Sequence, residues 1–539
     1  TPPTLSLTTT SLQFQGGPPT DFVAQDLEFN VNVGPDAFPW QVDLSYDSGT
    51  GWLGALETAG TISGLPTSAP IVVQTAGLTE DRYTGSVDLT VTVNGDTLTD
   101  TVPVELLLEP HRLFVPDNGV ALFDSPGLGK LSQTVTVSDN RRIPTPWTAT
   151  SDKTWLTVTP SGTTGGDLVL TADPTGLASE TIHYATVTIE STAASITNSG
   201  QETIRVGLYV TGTAPATEVS AAVAAVGSAV TGLSADPIRP YVYVTHGLAD
   251  IEVYNVYTGA LVQTISNAGG SLRAMTVSSD GSTLYVLDHT LSAIVTVDLD
   301  STPLAANAAW TNQDWVCACG NANLEADISY TRINGREVLI GSDKEIIDAT
   351  SGASLFRSDQ LSFFTGNRAV TIPESGGVLF SVVTLSSSGS TLRKVLKYSE
   401  IDDRFDIVEA GGRFTAGTNR GLSTDSNGER VFRACWHPTG EIEMYSGADL
   451  SPISFVSSGT NGGALYGPDG LVYCARYYSE LSAPGSGDVW AIDPDTRVIS
   501  KEFTVPGEIQ KRRYTISGDG LRLIMRSNSQ STLSFQTIP

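Results

Sequence analysis

The sequence is poor in the residues that announce the commonest chemistries. It has four cysteines, five histidines and three methionines in 539 positions. Cys317, Cys319, Cys435 and Cys474 are too few to hold a chain of this length together by disulfides. Positive charge is scarce as well. Thirty Lys and Arg against 58 Asp and Glu leave a net charge of −28, which repels a phosphate backbone and excludes nucleic acid as an expected partner. No apolar run approaches the roughly 20 residues that a membrane-crossing helix needs. No Asn-X-Ser/Thr sequon occurs, which points to a bacterial or archaeal surface rather than a eukaryotic secretory route. Gly-X-Ser-X-Gly, His-Glu-X-X-His, Walker and Cys-X-X-Cys-His motifs are all missing, so no linear catalytic signature argues for an enzyme.

What the chain does contain is turn residues and short alternating runs. There are 53 Gly and 28 Pro, with 40% hydrophobic and only 16% charged residues. That balance, with abundant Ser and Thr, predicts an all-β exported protein. The length predicts several domains, at roughly 100 to 200 residues each. The opening Thr1-Pro2-Pro3-Thr4 reads as the start of a mature chain from which a signal peptide has been removed, and so as secreted or cell-surface.

Two N-terminal stretches repeat one another. Phe38-Pro39-Trp40-Gln41-Val42, then Gly51-Trp52-Leu53, then Ile71-Val72-Val73, then Tyr83 to Val91 are matched in order. Their counterparts are Thr145-Pro146-Trp147-Thr148-Ala149, Thr154-Trp155-Leu156, Leu168-Val169-Leu170 and Tyr184 to Ile189. Apolar residues alternate with polar ones in each run, the period of a half-buried strand. Residues 1–108 and 109–212 therefore read as two β-sandwiches. Through the two tryptophan elements and the late Tyr-X-X-X-Val strand, the pattern resembles the BACON domain, an immunoglobulin-like module. That resemblance implies carbohydrate binding in some members, with Trp40, Trp52, Trp147 and Trp155 as platform candidates. The competing reading makes the same rings core filling between sheets.

After a Pro/Thr stretch near residue 213 the texture changes to a repeat of about 45 residues. Met275 to Val286 and Tyr514 to Ile524 are its clearest copies, each a strand, an Asp-Gly turn and an aromatic-bearing strand. Turns at Gly259, Gly352 and Asp493-Pro494-Asp495-Thr496 recur between third and fourth strands. Seven units fit into residues 213–539, which predicts a seven-bladed β-propeller. The last unit supplies only about three strands, so the segment 219–230 is expected to close the ring against it. Through Ser278-Ser279-Asp280-Gly281 and Leu284-Tyr285-Val286, the region resembles the YVTN-type surface-protein propellers.

Candidate site residues are few. His246, His289 and His437 each end a second strand, and Cys317 and Cys319 precede the third unit. All five are expected on one propeller face, as zinc or copper ligands or as plain loop residues. Cys317-Ala318-Cys319 admits a strained disulfide, two free thiols or half a metal site. Cys435 and Cys474 fall in comparable strands of adjacent units and are candidates for a disulfide. The acidic pairs Asp298/Asp300, Asp402/Asp403/Asp406 and Asp493/Asp495 suit either a structural calcium ion or ordinary turn capping. No other cofactor is expected.

The function expected is non-enzymatic binding or scaffolding outside the cell. The propeller face meets a surface protein or glycan, and the sandwiches form a stalk or docking arm. Residues 1–212 carry 7 Lys/Arg and 23 Asp/Glu, a surface that favours solubility over anionic lipid. Two alternatives are a subunit of a surface layer or filament, with the Thr-rich leader Thr1–Phe14 added to a neighbour's sheet edge, and a propeller hydrolase or lyase whose site escapes linear search.

Overall fold

A computed structural model describes residues 2–16, 24–34, 36–141, 143–191, 193–196, 201–215, 223–224, 230–307, 309–311, 328–333, 335–341, 345–357, 370–371, 378–385, 389–399, 404–408, 418–425, 428–436, 441–446, 451–457, 464–475, 487–505, 514–526 and 532–538. The fold is all-β, and no helix occurs among the described residues. None is therefore long and apolar enough to cross a membrane.

The strands between Leu5 and Leu108 form two sheets around one core. The smaller holds Leu5–Leu7, Gln25–Val31, Thr67–Val73 and Leu53–Ala55 in that spatial order. The larger holds Leu12–Gly16, Asp96–Leu108, Asp81–Val93, Phe38–Tyr46 and Ala59–Ile62. Alternation drives this packing: Val87, Leu89, Val91 and Val93 all point inward and are fully buried, while the residues between them face outward. The leader is part of this unit. Leu5–Leu7 pairs antiparallel with Phe29–Val31, and Leu12–Gly16 pairs parallel with Val104–Leu108. This pairing within its own sheets counts against the leader's expected role as a strand donated to a neighbour.

The strands between Leu113 and Val210 repeat the plan. One sheet orders Leu113–Phe114, Ser132–Asp139, Gly166–Ala172 and Leu156–Val158, and the facing sheet has Gln201–Val210 and Thr181–Glu190 at its centre. Gly119–Ser125 pairs parallel with Arg205–Val210, as the leader strand does in the first unit.

Among the described residues, seven four-stranded antiparallel sheets follow, between Val223 and Thr537. Six are built from four consecutive strands, the first being Gly232–Ala235, Tyr241–Thr245, Ile251–Asn255 and Leu261–Ile265. The seventh takes Tyr514–Ile516, Arg522–Arg526 and Thr532–Thr537 from the C-terminal end and its outer strand from Val223–Ala224, which pairs with Leu533 and Thr532. Gly232–Ala235 lies beside both Leu272–Val277 of the second sheet and Tyr514–Ile516 of the seventh. Inner strands thus gather side by side in a propeller-like arrangement.

Candidate functional site

In an antiparallel four-stranded sheet, the turn between first and second strands lies at one end. The turn between second and third lies at the other, about five residues or ~17 Å away. The two ends of these sheets have different surroundings.

At the first end, the second two-sheet unit is clamped against the turns. Arg239, in the first sheet's turn, is buried and reaches four partners. Its Nη1 donates to Asp236 Oδ2 at 3.0 Å and to Gly281 O at 2.6 Å, its Nη2 to Asp300 Oδ1 at 2.6 Å, and its Nε to Tyr184 Oη at 2.9 Å. Burial alone would lower the guanidinium pKa, but the Asp236 charge beside it wins and raises it. Tyr184, from the second unit, lies beside both Arg239 and Arg205, with each guanidinium carbon 5.3–5.5 Å from the ring centre. Arg205 also pairs with Asp300, and Arg332 of the third sheet pairs with Glu202 at 3.0 Å. Lys130 donates to Asp519 O at 2.5 Å, and Gln133 to Pro468 O at 3.1 Å.

Apolar contact completes the clamp. Phe123 stacks on Tyr257 at 3.8 Å between centres, within a shared core that includes Val242, Ile524 and Phe535. Two backbones meet here without a side chain between them. A Cβ on Gly207 would lie 2.0 Å from Ile238 O, and one on Gly119 2.0 Å from Ser279 O.

At the opposite end the described loops, those of the first and second sheets, are held by hydrogen bonds. Asp288 accepts from the backbone N–H groups of Gly270, Ser271, Thr290 and Leu291. Burial raises its carboxyl pKa, yet those four donors outweigh it and hold the group below the usual range. Gly247 N donates to Leu272 O, and Leu272 N returns to Leu248 O. Leu248 and Leu291 stand at equivalent places, two residues after His246 and His289, and each is 53% exposed.

Of the candidate ligand residues, the two that are described, His246 and His289, form no metal centre. His246 is buried, with Nε2 at 2.9 Å from Glu252 Oε2, which also accepts from Tyr254 Oη at 2.5 Å. His289 is exposed. Cys317, Cys319 and His437 lie outside the described residues. Among the described residues, no group of three or more His, Cys, Asp or Glu could hold a metal ion. Two of the calcium candidates have other employment. Asp298 caps Asp300 N and Asp300 pairs with arginines; Asp493 caps Asp495 N and Thr496 N, and Asp495 pairs with Arg430. Asp402 and Asp403 lie outside the described residues, and Asp406 lies in the strand Arg404–Val408. Cys474 is a free, buried thiol rather than half of a bridge to Cys435, and burial pushes its pKa up. Cys435 occupies the adjacent sheet opposite Asn419, and neighbouring sheets stand about 10 Å apart, beyond ordinary disulfide reach.

The tryptophans are core residues. Trp40, Trp52 and Trp147 are 4%, 0% and 2% exposed, and Trp155 is half-buried against the second core. A buried ring offers no face to a sugar, which removes the first three as glycan platforms. Sequence reasoning missed Arg205 and Arg239, and read Tyr184 only as a strand residue and Asp300 only as a calcium or turn-capping candidate; the four are scattered over four elements and carry no motif.

No protein-family model matches the chain, and no curated protein matches it. Among solved structures, a chain from the "Crystal Structure of Mitotic Checkpoint Complex" is similar at 12% identity and a TM-score of 0.42, covering 60% of this chain and 93% of that one.

Proposed function

We propose that the chain is a closed seven-bladed propeller carried on two immunoglobulin-like sandwiches, and that it acts outside the cell as a non-enzymatic binding or scaffold protein. One observation supports this reading: among the described residues, the two ends of the first two sheets are unequal. The turn end is covered by the second sandwich, which then serves as a rigid mount rather than a free arm. The loop end presents Leu248 and Leu291 on a backbone held by Asp288. Exposed aliphatic side chains on an ordered surface suit a protein partner, since sugars stack on aromatic faces.

The test is binding of the full chain to cell envelopes, before and after protease treatment of the envelopes. Wild type is expected to bind saturably to untreated envelopes only. Leu248→Glu with Leu291→Glu should weaken binding tenfold or more, because each buried leucine contributes about 1.5 kcal/mol or more, with the melting temperature unchanged. Equal binding by the double variant, or binding that survives protease, overturns the reading.

A second reading is assembly with copies of itself. Leu261 and Val262, and Val498 and Ile499, are 40–58% exposed at the start of outer-edge strands, and an uncovered edge is a template for pairing. Light scattering separates the two: a monodisperse 56.7 kDa particle supports the first, and concentration-dependent growth the second.

A further inference from the structure

Between the second two-sheet unit and the inner turns of the first, second, sixth and seventh sheets lies a cavity of about 290 Å³. At about 30 Å³ per molecule this is room for roughly ten waters. Its walls include Val120, Val135, Pro237, Tyr466 and Ile516, with Asp117 and Ser279 among the polar lining.

The charges around it are unevenly matched. Asp236 is saturated: Oδ1 accepts from Ile238 N and Arg239 N, and Oδ2 from Arg239 Nη1 and Tyr243 Oη. Lys130 is drawn to the main chain of Asp519 and to the Asp519 and Asp469 carboxylates. Asp117 lines the cavity, is exposed, and has neither a hydrogen bond nor an ion pair among the described residues. Ser279 also lines the cavity, but its Oγ is buried away from it.

We propose that this cavity binds a small organic cation, an ammonium or guanidinium head on a short aliphatic stem, with the head seated on Asp117 and the stem along Val120, Val135 and Ile516. A hard metal ion is the poorer fit. It requires six or more oxygen ligands at about 2.0–2.6 Å, usually with several carboxylates, whereas one unmatched carboxylate lines this space. A stem fills apolar volume that a hydrated ion leaves unused, and the Tyr466 ring adds a surface that attracts cations. The net charge of −28 enriches cations around the whole molecule.

The experiment is calorimetric titration of the full chain at neutral pH with n-butylammonium chloride, n-butylguanidinium chloride, n-butanol and calcium chloride, each against wild type, Asp117→Asn and Ser279→Ala. Wild type is expected to bind one butylammonium or butylguanidinium in the millimolar range and to ignore butanol. Asp117→Asn should bind at least tenfold more weakly while melting at the same or a higher temperature, since it removes an unmatched charge. Ser279→Ala should bind as wild type does, because its Oγ is buried out of reach of the cavity. Equal binding by wild type and Asp117→Asn, or butanol binding as tightly as the amine, overturns the proposal. So does one-to-one calcium binding that Asp117→Asn abolishes, which would assign the cavity to a hard cation.

Discussion

Gly60 and Gly162 stand directly across the ladder from Trp40 and Trp147, and each indole lies flat over the bare Cα of its partner. A Cβ on Gly162 would come within 2.4 Å of Trp147 Cζ2, and one on Gly60 within 2.7 Å of Trp40 Cζ2. Gly162→Ala is therefore expected to push the ring off its rotamer at a cost of about 1–3 kcal/mol. Urea denaturation followed by tryptophan fluorescence measures it, and an unchanged midpoint would mean the ring shifts freely. The tryptophans were legible as core because alternation places them in phase with Val42 and Ala149. Their glycine partners were not, since register joins residues 15 to 20 positions apart that no local pattern relates.

At the scale of elements, the strand Gln201–Val210 serves two structures at once. It pairs with both neighbours in its own sheet, and through Gly207 it lets the turn at Ile238 approach backbone to backbone. Gly207→Ala leaves the ladder hydrogen bonds available but places a methyl group where Ile238 O now sits. The expected result is separation of the second two-sheet unit from the propeller-like part. Calorimetry should show one transition splitting into two, and small-angle scattering should show a larger radius. A single transition at the wild-type temperature would show that this contact does not hold the two parts together. Nothing local in the sequence marks Gly207, because a glycine in a strand has the same appearance whether it meets solvent or another backbone.

For the whole molecule, the buried acids set the response to pH. Burial raises Asp519 from 3.8 to about 6, so the folded state holds this proton more tightly than the unfolded chain. Its effect on stability is most favourable below about 4 and is lost as pH rises through about 6. Asp288 runs the other way. Its folded pKa lies below 3.8, so it stabilises above that value, and this is lost as pH falls through its folded pKa. From these groups the melting temperature should be highest near pH ~4 and fall as the pH rises from about 4 to about 6. Asp519→Asn should flatten that decline, and a decline equally steep in that variant would remove Asp519 as its cause.

By itself the sequence determined that this is an all-β chain. Alternating apolar residues and frequent turns act over a few residues, and that range suffices to choose strand over helix. The tertiary structure alone decided how those strands are used. It buried the tryptophans, withdrew His246 into a pair with Glu252, kept the Cys474 thiol free and paired the leader within its own sheets. It also brought Tyr184, Arg205, Arg239 and Asp300 into one cluster and left Asp117 facing a cavity without a counter-charge. Those outcomes depend on contacts between residues tens to hundreds of positions apart, and distance along the chain carries no record of them.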